Sequence, residues 1–345
     1  MMFHLRKGFF CFLLVLSLIL PSHIVFAREK TSSEPVRLKV LLLPFLSYAP
    51  FFIAQEEGFF AEQQLQIEFV QMSSSAAAIP PLAQGDLDIV AGTLRISTLN
   101  AIIREGKIKF VSDKGHIGAG GCTYYGIIAR QALVEAGDLK NPSQLKGKKI
   151  CLASGFATSE GYFVEKLLNR GGVKLNEVEI QEHIPFTAEL EAFKKGTIDL
   201  TVGGEPKLTR MVESKHGVLW MPVQEIVPDF QFDVIAYGPS ILQKNREAGR
   251  RFIVAYLKAV RQYHQGKSGR NLGILRKYTN LDTEFLKKIC WPSIRIDGSI
   301  NAKSVLDFQD WSIKKGLLDR PATENQFWDP SFIEDANKIL SSVSK

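Results

Sequence analysis

The sequence is short of the features that mark several large protein classes. Beyond the N-terminus no apolar run is long enough to span a bilayer, so the body of the chain is not a membrane protein. Basic residues outnumber acidic ones, 43 against 36, but no clustered Lys/Arg tract of the kind used on nucleic acid is present. His116, His183, His216 and His264 have no metal-ligand spacing with one another or with cysteine, so no metal centre is expected. Only four cysteines occur, and Cys11 lies in the N-terminal apolar run without a lipoprotein cleavage box. Gly118-Ala-Gly-Gly-Cys122 lacks both a strand directly before it and a following Lys-Ser/Thr. It reads as a connection rather than a phosphate-cradling loop, and no cofactor is expected.

What is present begins with a leader. Arg6-Lys7, an apolar run from Gly8 to Leu20, and the small-residue site Val25-Phe-Ala27 form a secretory signal peptide, with cleavage expected after about Ala27. The apolar run is shorter than the roughly 18 residues a membrane anchor needs. Removing residues 1–27 takes Arg6 and Lys7 and no acid, lowering the net charge from +7 to +5. An unanchored exported protein suits a periplasm. Cys122, Cys151 and Cys290 then allow one disulfide and leave at least one thiol free. Cys151 falls in an expected buried strand.

The most informative feature is an internal repeat. Leu82-Ala-Gln-Gly85-Asp-Leu-Asp88-Ile-Val-Ala-Gly92 returns as Phe193-Lys-Lys-Gly196-Thr-Ile-Asp199-Leu-Thr-Val-Gly203, with 85, 88 and 92 each moved by 111 to 196, 199 and 203. The same offset, applied without a gap, lays Lys39–Phe45 on Ile150–Phe156 and Ile67 and Phe69 on Val178 and Ile180. Each copy reads β-α-β-α-β and predicts parallel strands with right-handed crossovers. The first has strands at 36–43, 65–70 and 87–90. The second has strands at 148–153, 177–181 and 198–202. Val234–Tyr237 reads as a strand leading back to the first lobe. Residues 245–265 form an amphipathic helix with Phe252, Ile253, Tyr256, Leu257, Val260 and Tyr263 on one stripe. The expectation is an α/β protein of two similar lobes with a ligand cleft between them.

Ligands of open parallel sheets sit beyond the carboxyl ends of the strands. The repeat names those ends in pairs. After the first strands come Phe45, Ser47 and Tyr48, matched by Phe156, Thr158 and Ser159. Ser47 and Thr158 sit at helix starts, where free N–H groups and the helix dipole favour an anion or simply a cap. After the third strands come Thr93 and Arg95, with Glu205 opposite Leu94. Arg95 could fork onto a carboxylate, sulfonate or phosphate, and Glu205 would suit an amine or ring N–H. Phe45, Tyr48 and Phe156 could stack on a ligand ring or merely pack.

An enzymatic alternative also fits the residue order. Ala157-Thr-Ser159-Glu-Gly161 is a relaxed nucleophile elbow between a strand and a helix, and an exported serine hydrolase would use Ser159 with Asp233 and His264. Against it, Ala157 replaces the first glycine, and His264 lies on a long helix.

Tyr48-Ala-Pro-Phe-Phe-Ile-Ala-Gln-Glu-Glu-Gly-Phe-Phe60, the following strand and Gly85-x-x-Asp88 resemble extracytoplasmic solute-binding proteins of the nitrate/sulfonate/taurine and thiamine-precursor type of ABC importer. Asp138–Ile150 is similar to that family's entry into its second lobe, and Arg250–Tyr263 to its returning helix. The resemblance implies a type II periplasmic binding protein fold, with lobe I at 36–122 plus 236–345 and lobe II at 123–235. It further implies a monomeric, non-enzymatic receptor that holds a small molecule and meets the permease subunits of an importer. In the pyrimidine-precursor branch an acid late in the second lobe reads the ligand's amino group, a place comparable to Glu205. In the sulfonate branch helix N-termini and hydroxyls hold the anion, as Thr158 and Ser159 would. The cysteine-rich motif of the eukaryotic pyrimidine synthases is missing, which argues against a cofactor-synthesis enzyme.

Overall fold

Apolar runs buried on both faces build the centre of each sheet. The computed structural model describes residues 34–342; the leader, its Ala27 site and residues 28–33 lie outside the described residues. Strands β1 (Val36–Leu42), β2 (Leu65–Gln71) and β3 (Ile89–Thr93) form the first parallel unit, with β1 between the other two. Strands β4 (Lys109–His116) and β5 (Tyr125–Arg130) follow. The second unit comprises β6 (Lys149–Leu152), β7 (Glu179–Glu182) and β8 (Leu200–Gly204), and the last strands are β9 (Gly217–Pro222) and β10 (Gln231–Tyr237).

The two sheets run β2-β1-β3-β10-β4 and β7-β6-β8-β5-β9. In each, one strand lies antiparallel between the third strand of the unit and the edge: β10 in the first, β5 in the second. Both sheets are therefore mixed, whereas the repeat alone predicts parallel pairing. The antiparallel strand is the one by which the chain arrives from the other lobe, so it needs no crossover helix within its own sheet. The loop through Gly118–Cys122 carries the chain from β4 to β5, and residues 223–230 carry it back from β9 to β10.

Pairing registers confirm the duplication and correct its alignment. Val40 faces Ile89 in the first lobe, and Ile150 faces Leu200 in the second. The first strand is thus displaced by 110 residues (40 to 150) and the third by 111 (89 to 200). The same one-residue difference recurs in a shared bond: Asp88 Oδ2 accepts from Lys39 N at 2.7 Å, and Asp199 Oδ2 accepts from Lys149 N at 3.0 Å. Gly85 and Gly196, 111 apart, both close their helices in the left-handed region, at φ 84° and 73°. One residue is therefore gained between the first and second strands of the second copy. The ungapped match of Lys39–Phe45 to Ile150–Phe156 is off by one, and β1 lies on β6 as Lys39-Val-Leu-Leu on Lys149-Ile-Cys-Leu.

The helix Arg246–Tyr263 buries its whole expected stripe, and Asn245 caps it by accepting from Ala248 N at 3.1 Å. Its Phe252 and Tyr256 rings lie 5.8 and 5.2 Å from Phe51, on the helix Ala49–Glu56. Each such fully buried aromatic contributes about 1.5–3 kcal/mol. Cys122 and Cys290 form a disulfide across 168 residues, and Cys151 is a buried free thiol in β6 that burial pushes up to about 12.

Candidate functional site

The carboxyl ends of β3 and β8 face each other across the cleft between the sheets. Thr93 stands directly opposite Asp233 in the β3–β10 ladder, so both side chains share one face. Arg95, two residues on, takes the N-cap position of the helix Ile96–Glu105 and makes a backbone bridge to Thr158 of the second lobe. Thr158 caps the helix Ser159–Arg170: its Oγ1 accepts from Glu160 N at 3.2 Å and donates to Gly155 O at 2.7 Å. Between these elements lies a cavity of about 210 Å³.

Seven of the nine residues singled out from sequence line this cavity: Phe45, Ser47, Thr93, Arg95, Thr158, Ser159 and Glu205. Phe45 is 55% exposed and stands at the rim. Tyr48 and Phe156 are not among the lining residues. Tyr48 is fully buried beneath the cavity floor, where its hydroxyl donates to Ala91 O and Lys114 Nζ lies 4.2 Å from its ring centre. Burial, with the Asp233 charge nearby, holds its phenol well above the ordinary range. Phe156 turns outward, 5.6 Å from the Trp311 ring. The register shift explains part of this. Helix starts Ala49 and Ser159 are 110 apart, so Tyr48 and Thr158 both take the N-cap place, and Ser47 has no hydroxyl counterpart.

Sequence reasoning missed the groups behind the lining. Lys114, 1% exposed in the middle of β4, donates to Ser47 Oγ at 2.6 Å and to Asp233 Oδ2 at 3.0 Å. Burial lowers the Lys114 pKa, opposed by the carboxylates of Asp233 and Asp113. Tyr124, Tyr125 and Phe232 add aromatic surface, with Tyr125 and Phe232 centroids 4.8 Å apart across the lobes. Glu160, buried in the first helical turn, accepts from Ser154 N and Oγ, both at 2.9 Å, and from the Tyr125 hydroxyl at 3.1 Å. Burial nevertheless raises its carboxyl above the usual value. Glu205 is raised for the same reason, although Thr209 N, Thr209 Oγ1 and Cys290 N all donate to it. An adjacent pair of charges in β4 was the only signal for Lys114, and it reads as a solvated edge.

The hydrolase constellation does not assemble. No histidine lines the cavity; His264 Nε2 lies 2.7 Å from Ile294 O at the end of its helix. Asp233 is paired with Lys114 rather than with a histidine. The hydroxyl of Ser159 therefore has no histidine base in the cavity. Among the described residues no group of three or more His, Cys, Asp or Glu is placed to hold a metal ion, and no helix is long and apolar enough to cross a membrane.

Residues 46–265, well over half of the chain, match the family model described as NMT1/THI5 like. The chain belongs to that family. No curated protein matches the sequence. Among solved structures, the periplasmic aliphatic sulphonate binding protein SsuA from Escherichia coli superposes with a TM-score of 0.68 at 14% identity, over 87% of this chain and 93% of its own. The periplasmic nitrate-binding protein NrtA from Synechocystis PCC 6803 gives 0.67 at 14% identity, over 89% of each chain. The ligand binding component of an ABC-type import system from Staphylococcus aureus, solved with zinc bound, gives 0.70 at 13%, over 87% and 99%. These likenesses establish the periplasmic binding protein fold for this member of the family.

Proposed function

We propose that this protein is the extracytoplasmic solute receptor of an ABC importer, closing two lobes on a small organic molecule and presenting it to the permease. The observation that carries this reading is the small cavity at the facing strand ends, lined from both lobes and bridged at its edge by Arg95 and Thr158. Hinge closure through the two interlobe connections stabilises a ligand because each lobe contributes part of its contacts. Family membership and the sulfonate- and nitrate-binding neighbours support solute capture over turnover.

In this reading the leader is cleaved after about Ala27, and the mature monomer works in the periplasm, divided as residues 36–122 plus 231–345 and residues 123–230; the second crossing falls before β10 rather than at residue 236, because all of β10 pairs within the first sheet. Phe45, Ser47, Thr93, Arg95, Thr158, Ser159 and Glu205 hold the ligand directly. Tyr48 acts from beneath, through Lys114 and Ser47. The ligand is a sulfonate, a pyrimidine or another anionic or heteroaromatic compound, and its size is limited. An engineered cavity of about 150 Å³ accepts benzene, so about 210 Å³ suits one substituted ring or a short chain.

Thermal-shift screening of the mature protein against sulfonates, nitrate, aminopyrimidines, flavins and aromatic carboxylates tests the proposal. A saturable rise in melting temperature with one class is expected. A flat response to every class, together with no small molecule released on denaturation, overturns it. A fluorophosphonate probe should leave Ser159 unlabelled.

A further inference from the structure

The first connection between the lobes is held at its two ends and at one bond between them. Ile117 N donates to Phe230 O at 2.9 Å where the chain leaves the first lobe, and Tyr124 O accepts from Glu205 N at 3.0 Å where it joins the second. Among the described residues, residues 118–121 make no hydrogen bond. A side chain at Gly120 or Gly121 would meet no atom within 4 Å, and Gly121 has φ +87°, in the left-handed region. Such a run can swivel freely. It ends at Cys122, which is exposed and bonded to Cys290.

Cys290 is seated on the first lobe. Trp291 stacks on Tyr263 at 5.5 Å, the Tyr263 hydroxyl donates to Pro292 O at 2.7 Å, and His116 N donates to Ser293 O at 2.9 Å. The same segment meets the second lobe. The Cys290 amide donates to the Glu205 carboxyl, Lys288 pairs with Glu213, and the Arg210 guanidinium lies 5.6 Å from the Phe285 ring centre. Glu205 and Tyr124 both line the cavity. The disulfide therefore fixes to the first lobe a point only three residues before β5 starts at Tyr125, and ties that point to the stretch of chain that holds Glu205.

We propose that the Cys122–Cys290 disulfide is a redox-sensitive strap on the cleft. With the bond closed, the free part of the first connection is Thr123–Tyr124, two residues and about 7 Å of extended chain. With the bond open it is residues 118–124, seven residues and roughly 24 Å. The second lobe then swings further, and Glu205 parts from the Cys290 amide. The reductant is a dithiol. One of its thiolates attacks Cys122, the exposed half, and Cys290 leaves as a thiolate and takes a proton. The second sulfur closes the dithiol's own disulfide and releases Cys122, so two electrons and two protons pass to the protein. The strap does not depend on which solute the cleft takes.

Hydrogen exchange of the mature protein tests it, with the bond intact, in dithiothreitol after mass measurement shows the bond open, and in the C122S/C290S variant. The expected change is local. Amides at 204–213 and 285–291 should exchange at least about ten-fold faster once the bond is open, while those of β1 and β6 are unchanged. Small-angle scattering of the same samples should give a larger radius of gyration with the bond open. Wild type held in dithiothreitol decides the matter if the variant does not fold. Unchanged exchange at both segments or an unchanged radius overturns the strap. So does a uniform acceleration through both lobes, or global unfolding on reduction, since either marks a bond that serves overall stability alone.

Discussion

The two walls of the cleft come from one duplicated unit, yet they carry different chemistry. The first lobe brings fixed charge: Arg95 at the edge, and Asp233 anchored by the buried Lys114. The second brings hydroxyls, helix N–H groups and two carboxyls, Glu160 and Glu205, that burial pushes toward the protonated form. Both helices start the same distance after their first strands, so the contrast lies in which residues stand there. At the N-cap place the first lobe puts Tyr48, whose side chain drops into the core and caps nothing, while the second puts Thr158, which caps its own helix. A duplicated scaffold thus acquires distinct halves through a different residue at one N-cap place and through what stands behind each wall.

The largest test removes the first lobe's charge anchor. K114M leaves the Asp233 carboxylate buried without its cation, so stability should fall by about 3–5 kcal/mol in denaturant unfolding at neutral pH. Adding D233L should recover more than half of that loss, since an apolar pair replaces an ion pair at little net cost. A loss below about 1 kcal/mol for K114M would mean that the pair does not anchor this wall.

A matched pair of hydroxyl deletions sharpens the contrast. S47A strands a donor of the buried ammonium and should cost about 1.5–3 kcal/mol. T158A removes a helix cap and should cost about 1 kcal/mol. Equal costs in the two variants would make the walls energetically alike. The same denaturant titrations give both values.

The smallest effect concerns acidity. Glu160 and Glu205 have folded-state values raised above the ordinary 4.5, so the folded protein binds their protons more readily than the unfolded chain does. Their contribution to stability is fully present below about pH 4.5 and is lost as pH rises through the raised folded values. The melting temperature of wild type should therefore fall, relative to the E160Q/E205Q double variant, as pH rises from about 4 to about 7. A pH-independent difference would show that the second wall does not titrate this way.

Much of the fold was legible because its signals are local. Apolar runs marked β1, β3 and β6, the stripe from Phe252 to Tyr263 marked the long helix, and Gly85 and Gly196 marked two helix ends. The strands β4, β5 and β9 were not legible. Buried on both sides or set beside crossovers, they show no alternation, and β4 carries Asp113 and Lys114 at its centre. The cleft could be mapped because strand ends follow from the repeat. That map gave Tyr48 and Phe156 to the cavity, whereas Tyr48 turns into the core and Phe156 packs against Trp311, contacts made with residues distant in the chain. Lys114 was invisible for the same reason: its partners Ser47 and Asp233 lie 67 and 119 residues away.

The central claim is that two unlike walls close on one solute. Small-angle scattering of the mature protein, alone and saturated with the tightest-binding solute of the thermal-shift panel, addresses it most directly. The account predicts a smaller radius of gyration at saturation. An unchanged radius at full occupancy would contradict it.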